Sequence, residues 1–100
     1  MHASFGSVSA DGGIENPGSG DWIVEKGALG RYTIVLETTS SPPPVVVATG
    51  SVTGDDQATD NVVTVAVRSG GQFTVMSRDV AGLHENEPQD AAFSFVAIWP

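Results

Sequence analysis

The sequence predicts an all-β domain, an antiparallel β-sandwich of about six to eight strands that spans residues 1–100 as a single domain. Three observations support this fold class. Valine, threonine, serine and glycine dominate the chain, which is typical of strands and turns. Short segments place apolar residues at every second position, and glycine or proline residues separate them. The only window that resembles a helix, Asp79–Asp90, contains Gly82 and Pro88 and has no helical period.

The first half of the chain contains a series of strand signals separated by glycine-rich turns. The clearest alternation is in RYTIVLE, where Tyr32, Ile34 and Leu36 point to one face and the intervening residues to the other. A turn-rich segment, DGGIENPGSGD, leaves room for a short strand only. The predicted strands are Ser4–Ser9, a short one at Ile14, Asp21–Lys26 and Arg31–Glu37.

The second half repeats the pattern with longer apolar runs. The proline-rich stretch TTSSPPP is an extended connector, and SGGQ is a hairpin turn. Two polar loops, Gly54–Asn61 and Val80–Asp90, interrupt the strands. The predicted strands are Val45–Val52, Val62–Ser69, Phe73–Asp79 and Ala92–Trp99.

Several strands of the second half are apolar on both faces, which predicts self-association. In AAFSFVAIWP, aromatic residues alternate with Ser94, Val96 and Ile98, so both faces of the strand require cover. A chain of this size has little material to cover several such strands, and a second copy is the simplest cover. The alternative is that these are central strands of a small barrel without a partner. The predicted interface residues are Val63, Val65, Phe95, Ile98 and Trp99.

Charge and composition exclude several classes of partner. The net charge is −8, from 12 acidic residues against 4 basic ones. Such a surface repels the phosphates of nucleic acids and of anionic membranes. No apolar run is long enough to span a bilayer, and no signal peptide follows Met1–Ala3, residues whose native origin the sequence leaves open. The chain has no cysteine, so disulfides, thiol catalysis and cysteine-bound metals are excluded.

Two long stretches carry a recurrent pattern of small residues and valine. The first, Gly6–Gly50, is similar to G-x-V-x-x-D-G…G-x-x-x-V…G-x-Y-x-I-x-F…P-P-V-V-V-A-T, with Leu36 in place of the phenylalanine. The second, Gly71–Ile98, is similar to G-F-x-V…D…D-x-x-F-S-F-x-A-I. Together they resemble the distal domains of phage tail fibres and related bacterial adhesins, and the H-type lectins of invertebrates.

The resemblance covers nearly the whole chain and implies an antiparallel sandwich that forms homotrimers around a threefold axis. It also implies a role in receptor or carbohydrate binding, or in fibre trimerisation. The lectin members carry cysteines and a cluster of sugar-contacting aromatic or histidine residues after the F-x-V strand. This chain has SRDVAG (Ser77–Gly82) at that place, so the resemblance extends to the scaffold and not to the residues of the sugar site.

Four residues are candidates for ligand binding. Indole rings such as that of Trp22 stack on sugars, and the guanidinium of Arg78 offers a planar fork to carboxylates or sugar hydroxyls. Asp79 and His84 follow Arg78 into a polar loop. Each has a structural alternative: a core or interface tryptophan, an arginine paired with one of the many acids, and an ordinary exposed loop.

Metal binding and catalysis have weak support. The acidic loop with Asp55, Asp56 and Asp60 lacks the spacing of a calcium loop, and His84 with its neighbouring acids is as consistent with a solvated connection. The sequence contains no nucleophile elbow, zinc-protease motif or phosphate loop. We therefore predict no metal, no cofactor and no enzymatic activity; a small hydrolase or isomerase that uses paired carboxylates is the least favoured hypothesis.

The predicted function is a non-catalytic binding or adhesion module of a fibre or capsid, at the surface of a virion or in the extracellular space. Its partners would be two further copies of itself and a cell-surface glycan, receptor, or fibre or capsid protein. The alternative is a purely structural trimerisation or virion decoration protein without a small-molecule ligand.

Overall fold

The computed structural model describes residues 1–39, 41–51, 62–79 and 87–100, apart from the side chains of residues 67 and 68. These residues form eight strands and no helix, which confirms the all-β class. Every predicted strand is present, and its bounds differ from the prediction by at most about two residues. The strands are β1 (His2–Val8), β2 (Ile14–Asn16), β3 (Trp22–Lys26), β4 (Arg31–Leu36), β5 (Val45–Gly50), β6 (Val62–Ser69), β7 (Gln72–Arg78) and β8 (Phe93–Trp99).

The strands form two four-stranded sheets in which every pairing is antiparallel. Sheet I has the order β2-β1-β8-β5, and sheet II has the order β3-β4-β7-β6. The apolar segment AAFSFVAIWP contains β8, which lies inside sheet I between β1 and β5. Both edges of β8 are therefore hydrogen-bonded to a neighbouring strand, so β8 is a central strand of sheet I.

The two sheets pack face to face through aromatic side chains. Phe95 of sheet I contacts two rings of sheet II edge-on, Trp22 at a centroid distance of 4.8 Å and Phe73 at 5.5 Å. Phe93 meets Tyr32 in the same manner at 5.0 Å. Such pairs contribute about 0.5–1.5 kcal/mol each beyond the area that they bury. The inward face of β8 thus supplies much of the core.

The described residues that flank the two polar loops lie at one end of the sandwich, here called the loop end. The backbone N–H of Ser51 donates to Ala92 O at 3.1 Å, and the N–H of Asp79 donates to Glu87 O at 2.9 Å. At the start of β6, Val62 pairs with Arg78. These contacts bring the ends of both loops together, although the loop residues 52–61 and 80–86 lie outside the described part of the chain.

A glycine beneath Trp22 lets the two sheets approach each other. The indole Nε1 donates to Phe5 O and Pro17 O, both at 2.9 Å, and the side chain is only 4% exposed. A Cβ built on Gly6 would overlap Trp22 Cζ2 and lie 2.8 Å from Asn16 O. Backbone and ring atoms on both sides leave no room for a side chain here.

We therefore expect Gly6→Ala to lower the free energy of unfolding by about 1–3 kcal/mol, because the added methyl group must push the indole out of its site. Gly27→Ala is the matched control, since the nearest atoms to its Cβ lie at 3.6 Å, an ordinary contact. Urea denaturation at one fixed protein concentration measures both variants. Equal stability of the two variants would contradict this account of the contact.

Candidate functional site

The outer face of sheet I carries an exposed apolar surface. The register of β1, β8 and β5 aligns their outward residues in rows, and two adjacent rows are wholly apolar. The large side chains in them remain between 37% and 70% exposed. We call this surface the apolar face; it consists of Ala3, Ile98 and Val45 in one row and Phe5, Val96 and Val47 in the next.

The apolar face has a defined border. The next row towards the loop end is polar, with Ser7 and Ser94 joined by a hydrogen bond of 2.8 Å between their hydroxyl oxygens and with Thr49 beside them. A depression of about 220 Å³ lies along the border, between Phe5, Asn16 and residues of β8. The face therefore ends where hydroxyl groups begin, as the polar rim of an interface does.

Charged residues are absent from the three strands that build this face. β1, β5 and β8 contain no aspartate, glutamate, lysine or arginine. Each strand of sheet II, by contrast, carries at least one charged residue. Depletion of charge at the centre of a patch is the compositional signal that distinguishes interfaces from ordinary surface.

The structure places the predicted interface residues on two different faces. Ile98 lies on the apolar face, whereas Phe95 and Trp99 are buried inside the sandwich of the single chain. Val63 and Val65 are half-buried and pack against the same core. Sequence analysis missed Ala3, Phe5, Val45, Val47 and Val96; the absence of charge from three whole strands was the signal that could have found them.

The predicted ligand residues are not brought together. Trp22 is buried and pairs with Leu36, at the end of sheet II far from Arg78. Arg78 is exposed at the loop end, and the adjacent Asp79 is buried. His84 lies outside the described residues. Of this set, Arg78 is the residue that the structure leaves open to a ligand.

Arg78 shares a groove with a second arginine on the outer face of sheet II. Arg31 pairs with Met76, two residues before Arg78 on β7, so the two arginines are diagonal neighbours on one face, with Cβ atoms about 7–8 Å apart. The groove has a volume of about 270 Å³. We call it the arginine groove; Leu29, Thr64, Met76 and Pro88 line it together with the two arginines.

A polar cluster at the loop end fixes the backbone near this groove. The Lys26 ammonium lies 3.0 Å from Asp90 Oδ1, which also accepts a 2.7 Å hydrogen bond from the backbone N–H of Gly30. The Tyr32 hydroxyl donates to Ala10 O at 2.6 Å and accepts from the N–H of Ala91 at 3.1 Å. These bonds tie backbone segments of both sheets to one another.

The environment of this cluster shifts the pKa values of its members. The hydrogen bond from the Gly30 N–H, followed by the contact with Lys26, holds the pKa of Asp90 below its usual value. Burial raises the pKa of Tyr32 to about 12, so its hydroxyl keeps its proton at physiological pH. Outside this cluster, next to Trp22, hydrogen bonds from Ser19 and Ser4 lower the pKa of Asp21 in the same way. These groups hold backbone and side-chain partners in place, which is a structural role.

The described residues show neither a metal-binding cluster nor a membrane-spanning helix. Among the residues that the structure describes, no group of three histidine, cysteine, aspartate or glutamate side chains is placed to hold a metal ion. The acidic loop around Asp55 and the cluster beginning at His84 lie mostly outside those residues. Within the described ranges no helix is long and apolar enough to cross a membrane.

Comparison with known proteins adds no relationship. No protein-family model matches the chain, and no curated protein or solved structure is significantly similar to it. The resemblance to tail-fibre domains and H-type lectins therefore stays a prediction, and the functional argument depends on the two surfaces described above.

The depressed pKa of Asp90 predicts how acid affects stability. A carboxylate with a lowered pKa in the folded state stabilises the fold above its unfolded pKa, and this contribution is lost as the pH falls below about 4. We therefore expect Asp90→Asn to have a lower free energy of unfolding than the native chain at pH 7. Between about pH 5 and about pH 2, the free energy of unfolding of this variant should fall by less than that of the native chain. Urea denaturation across this range measures both quantities. Parallel pH curves for the two proteins would contradict the role given to Asp90.

Proposed function

We propose that the chain is a non-catalytic binding module that assembles with copies of itself through the apolar face. The observation that carries this proposal is the exposure of Phe5, Val45, Val47, Val96 and Ile98 in two aligned rows. Contiguous apolar patches on a soluble domain mark interaction sites. A second copy is the simplest partner of matching chemistry, because its own face has the same uncharged composition.

The energy available from the face is sufficient for reversible assembly. Covering five half-exposed side chains contributes about 4–8 kcal/mol for each copy, at about half of the value for full burial of such residues. Loss of translational and rotational freedom costs about 4–15 kcal/mol for each association step. The two quantities are of the same order, so assembly depends on protein concentration. The proposed number of copies is three, which is the state that the resemblance implies.

The proposed role is display of ligand sites on a fibre or capsid, at the virion or extracellular surface, for recognition of a cell-surface glycan or receptor. The gathering of the loop-flanking residues at one end supports it, since copies joined through sheet I would present their loop ends side by side. The polar row of Ser7, Ser94 and Thr49 lies between the apolar face and that end. A purely structural trimerisation or decoration protein would use the apolar face in the same way and would lack a ligand.

We expect the native chain to have a mass of three times 10.3 kDa in solution. We expect Ile98→Asp to be a folded monomer, because a charge at the centre of the apolar face has no partner in the assembly. Ile23→Asp is the matched control: Ile23 is 55% exposed on the outer side of sheet II, and this variant should keep the native mass. Light scattering after gel filtration measures the masses, and circular dichroism checks the fold.

Two results would overturn parts of the proposal. A native chain that stays monomeric at about 100 μM, a concentration at which an association worth about 5.5 kcal/mol is half complete, removes the assembly. A mass of two chains keeps the apolar face as the interface and removes the trimer. Should Ile98→Asp fail to fold, Val47→Asp replaces it, since Val47 is 66% exposed.

A further inference from the structure

The arginine groove reverses the charge of the surface around it. The chain has 12 acidic residues and only 4 lysines and arginines. Two of those 4 basic residues, Arg31 and Arg78, line the groove. No acidic side chain is among the described residues that line it. The groove is thus a local positive site on a negative molecule, which attracts a small anion at short range.

Among the described residues, neither guanidinium group forms a salt bridge with an acid. In the described part of the chain the salt bridge joins Lys26 to Asp90, and neither groove arginine takes part in one. Two like charges on neighbouring positions of one sheet face repel each other. An anion between them relieves this repulsion and accepts paired N–H groups from either guanidinium.

Backbone hydrogen bonds and a tight contact at Gly30 define the floor of the groove. Gly30 has a φ of 74°, its carbonyl accepts the Ser77 N–H at 2.8 Å, and its N–H is bound to Asp90. A Cβ at this position would overlap Ser77 O. The backbone of Gln89 also closes on Ser77, at 3.1 Å. Preorganisation of this kind lowers the entropy that is lost when a ligand binds.

The remaining groove residues define the body of the ligand. Met76, Leu29 and Pro88 give apolar surface, and the exposed Thr64 offers a hydroxyl group. The volume of about 270 Å³ is slightly below the range of about 300–1,000 Å³ that holds drug-sized ligands. A ligand of one ring that carries hydroxyls and one anionic group matches these features.

We propose that the arginine groove binds a carboxylate-bearing monosaccharide, with Arg31 and Arg78 on the carboxylate and Met76 beneath the ring. This inference rests on the binding role proposed above and names its ligand class. A monoanion is favoured over a phosphate dianion because the net charge of −8 repels each further negative charge. A planar carboxylate also matches the guanidinium fork in a bidentate geometry.

The test titrates isotopically labelled native protein with D-glucuronate and with D-glucose, sugars that differ in the carboxylate. We expect glucuronate to shift the backbone amide signals of Arg31, Met76 and Arg78 in the NMR spectrum with a dissociation constant of about 1–10 mM, which is typical of one small open site. Glucose should bind at least about tenfold more weakly, because it cannot make the charge-assisted bonds.

Arg31→Gln and Arg78→Gln should each weaken glucuronate binding by at least about fivefold, since each removes one charged fork. Arg68→Gln is the matched control, because position 68 lies towards the other end of β6 from Val62, the partner of Arg78. It removes the same charge from the molecule and should leave the affinity within about twofold of native.

Four results would overturn the inference. The first is the absence of amide shifts with about 20 mM glucuronate, a concentration about twofold above the weakest expected dissociation constant. The second is equal binding of glucose and glucuronate, and the third is an equal loss of binding in Arg68→Gln. The fourth is tighter binding of inorganic phosphate or of a tetra-aspartate peptide. Phosphate would indicate a general anion site, and the peptide an acidic protein partner. The mass of each sample is measured in parallel: a native assembly without glucuronate binding removes this inference alone, and a monomer that binds glucuronate removes the assembly alone.

Discussion

The position of β8 between β1 and β5 is the constraint on which the other features depend. Pairing on both sides satisfies the backbone of β8 and leaves its side chains to alternate between two faces. Phe93 and Phe95 fill the core against Tyr32, Phe73 and Trp22. Because the period is two residues, the same alternation places Val96 and Ile98 outside. The alternation that fills the core therefore fixes Ser94, Val96 and Ile98 as the outward residues of β8, and two of these three are apolar.

This arrangement also separates charge from apolar surface. Since β1, β5 and β8 carry no aspartate, glutamate, lysine or arginine, these residues belong to sheet II, β2 and the connecting segments. Two acids with lowered pKa values, Asp21 and Asp90, bind serine hydroxyls or backbone N–H groups, and Lys26 pairs with Asp90. The two arginines of the groove are exposed positive groups on the outer face of sheet II. One molecule thus has one uncharged side and one positive groove.

Much of the fold could be predicted from local alternation, because the period of a strand is visible in any short window. Alternation shows that a strand has two apolar faces, but it does not show which face meets the other sheet. For this reason the pattern alone predicts an interface position for Phe95 and Trp99, which are buried in the sandwich. The pairing of Arg31 with Met76 joins residues that are distant in sequence, so no local pattern could bring Arg31 and Arg78 together. Gly6 under Trp22 is non-local in the same way.

The two surfaces are compatible because they lie on opposite sheets. Assembly through sheet I leaves the outer face of sheet II free, so each copy would keep an open groove near its loop end. A groove of about 270 Å³ offers few contacts, and a single site of this size binds weakly. Several sites on one particle raise the overall affinity by about 10²–10⁴ when their spacing allows simultaneous contact. In the proposed assembly, weak binding by the groove would therefore be effective because several grooves act together, and the apolar face would be a condition for recognition.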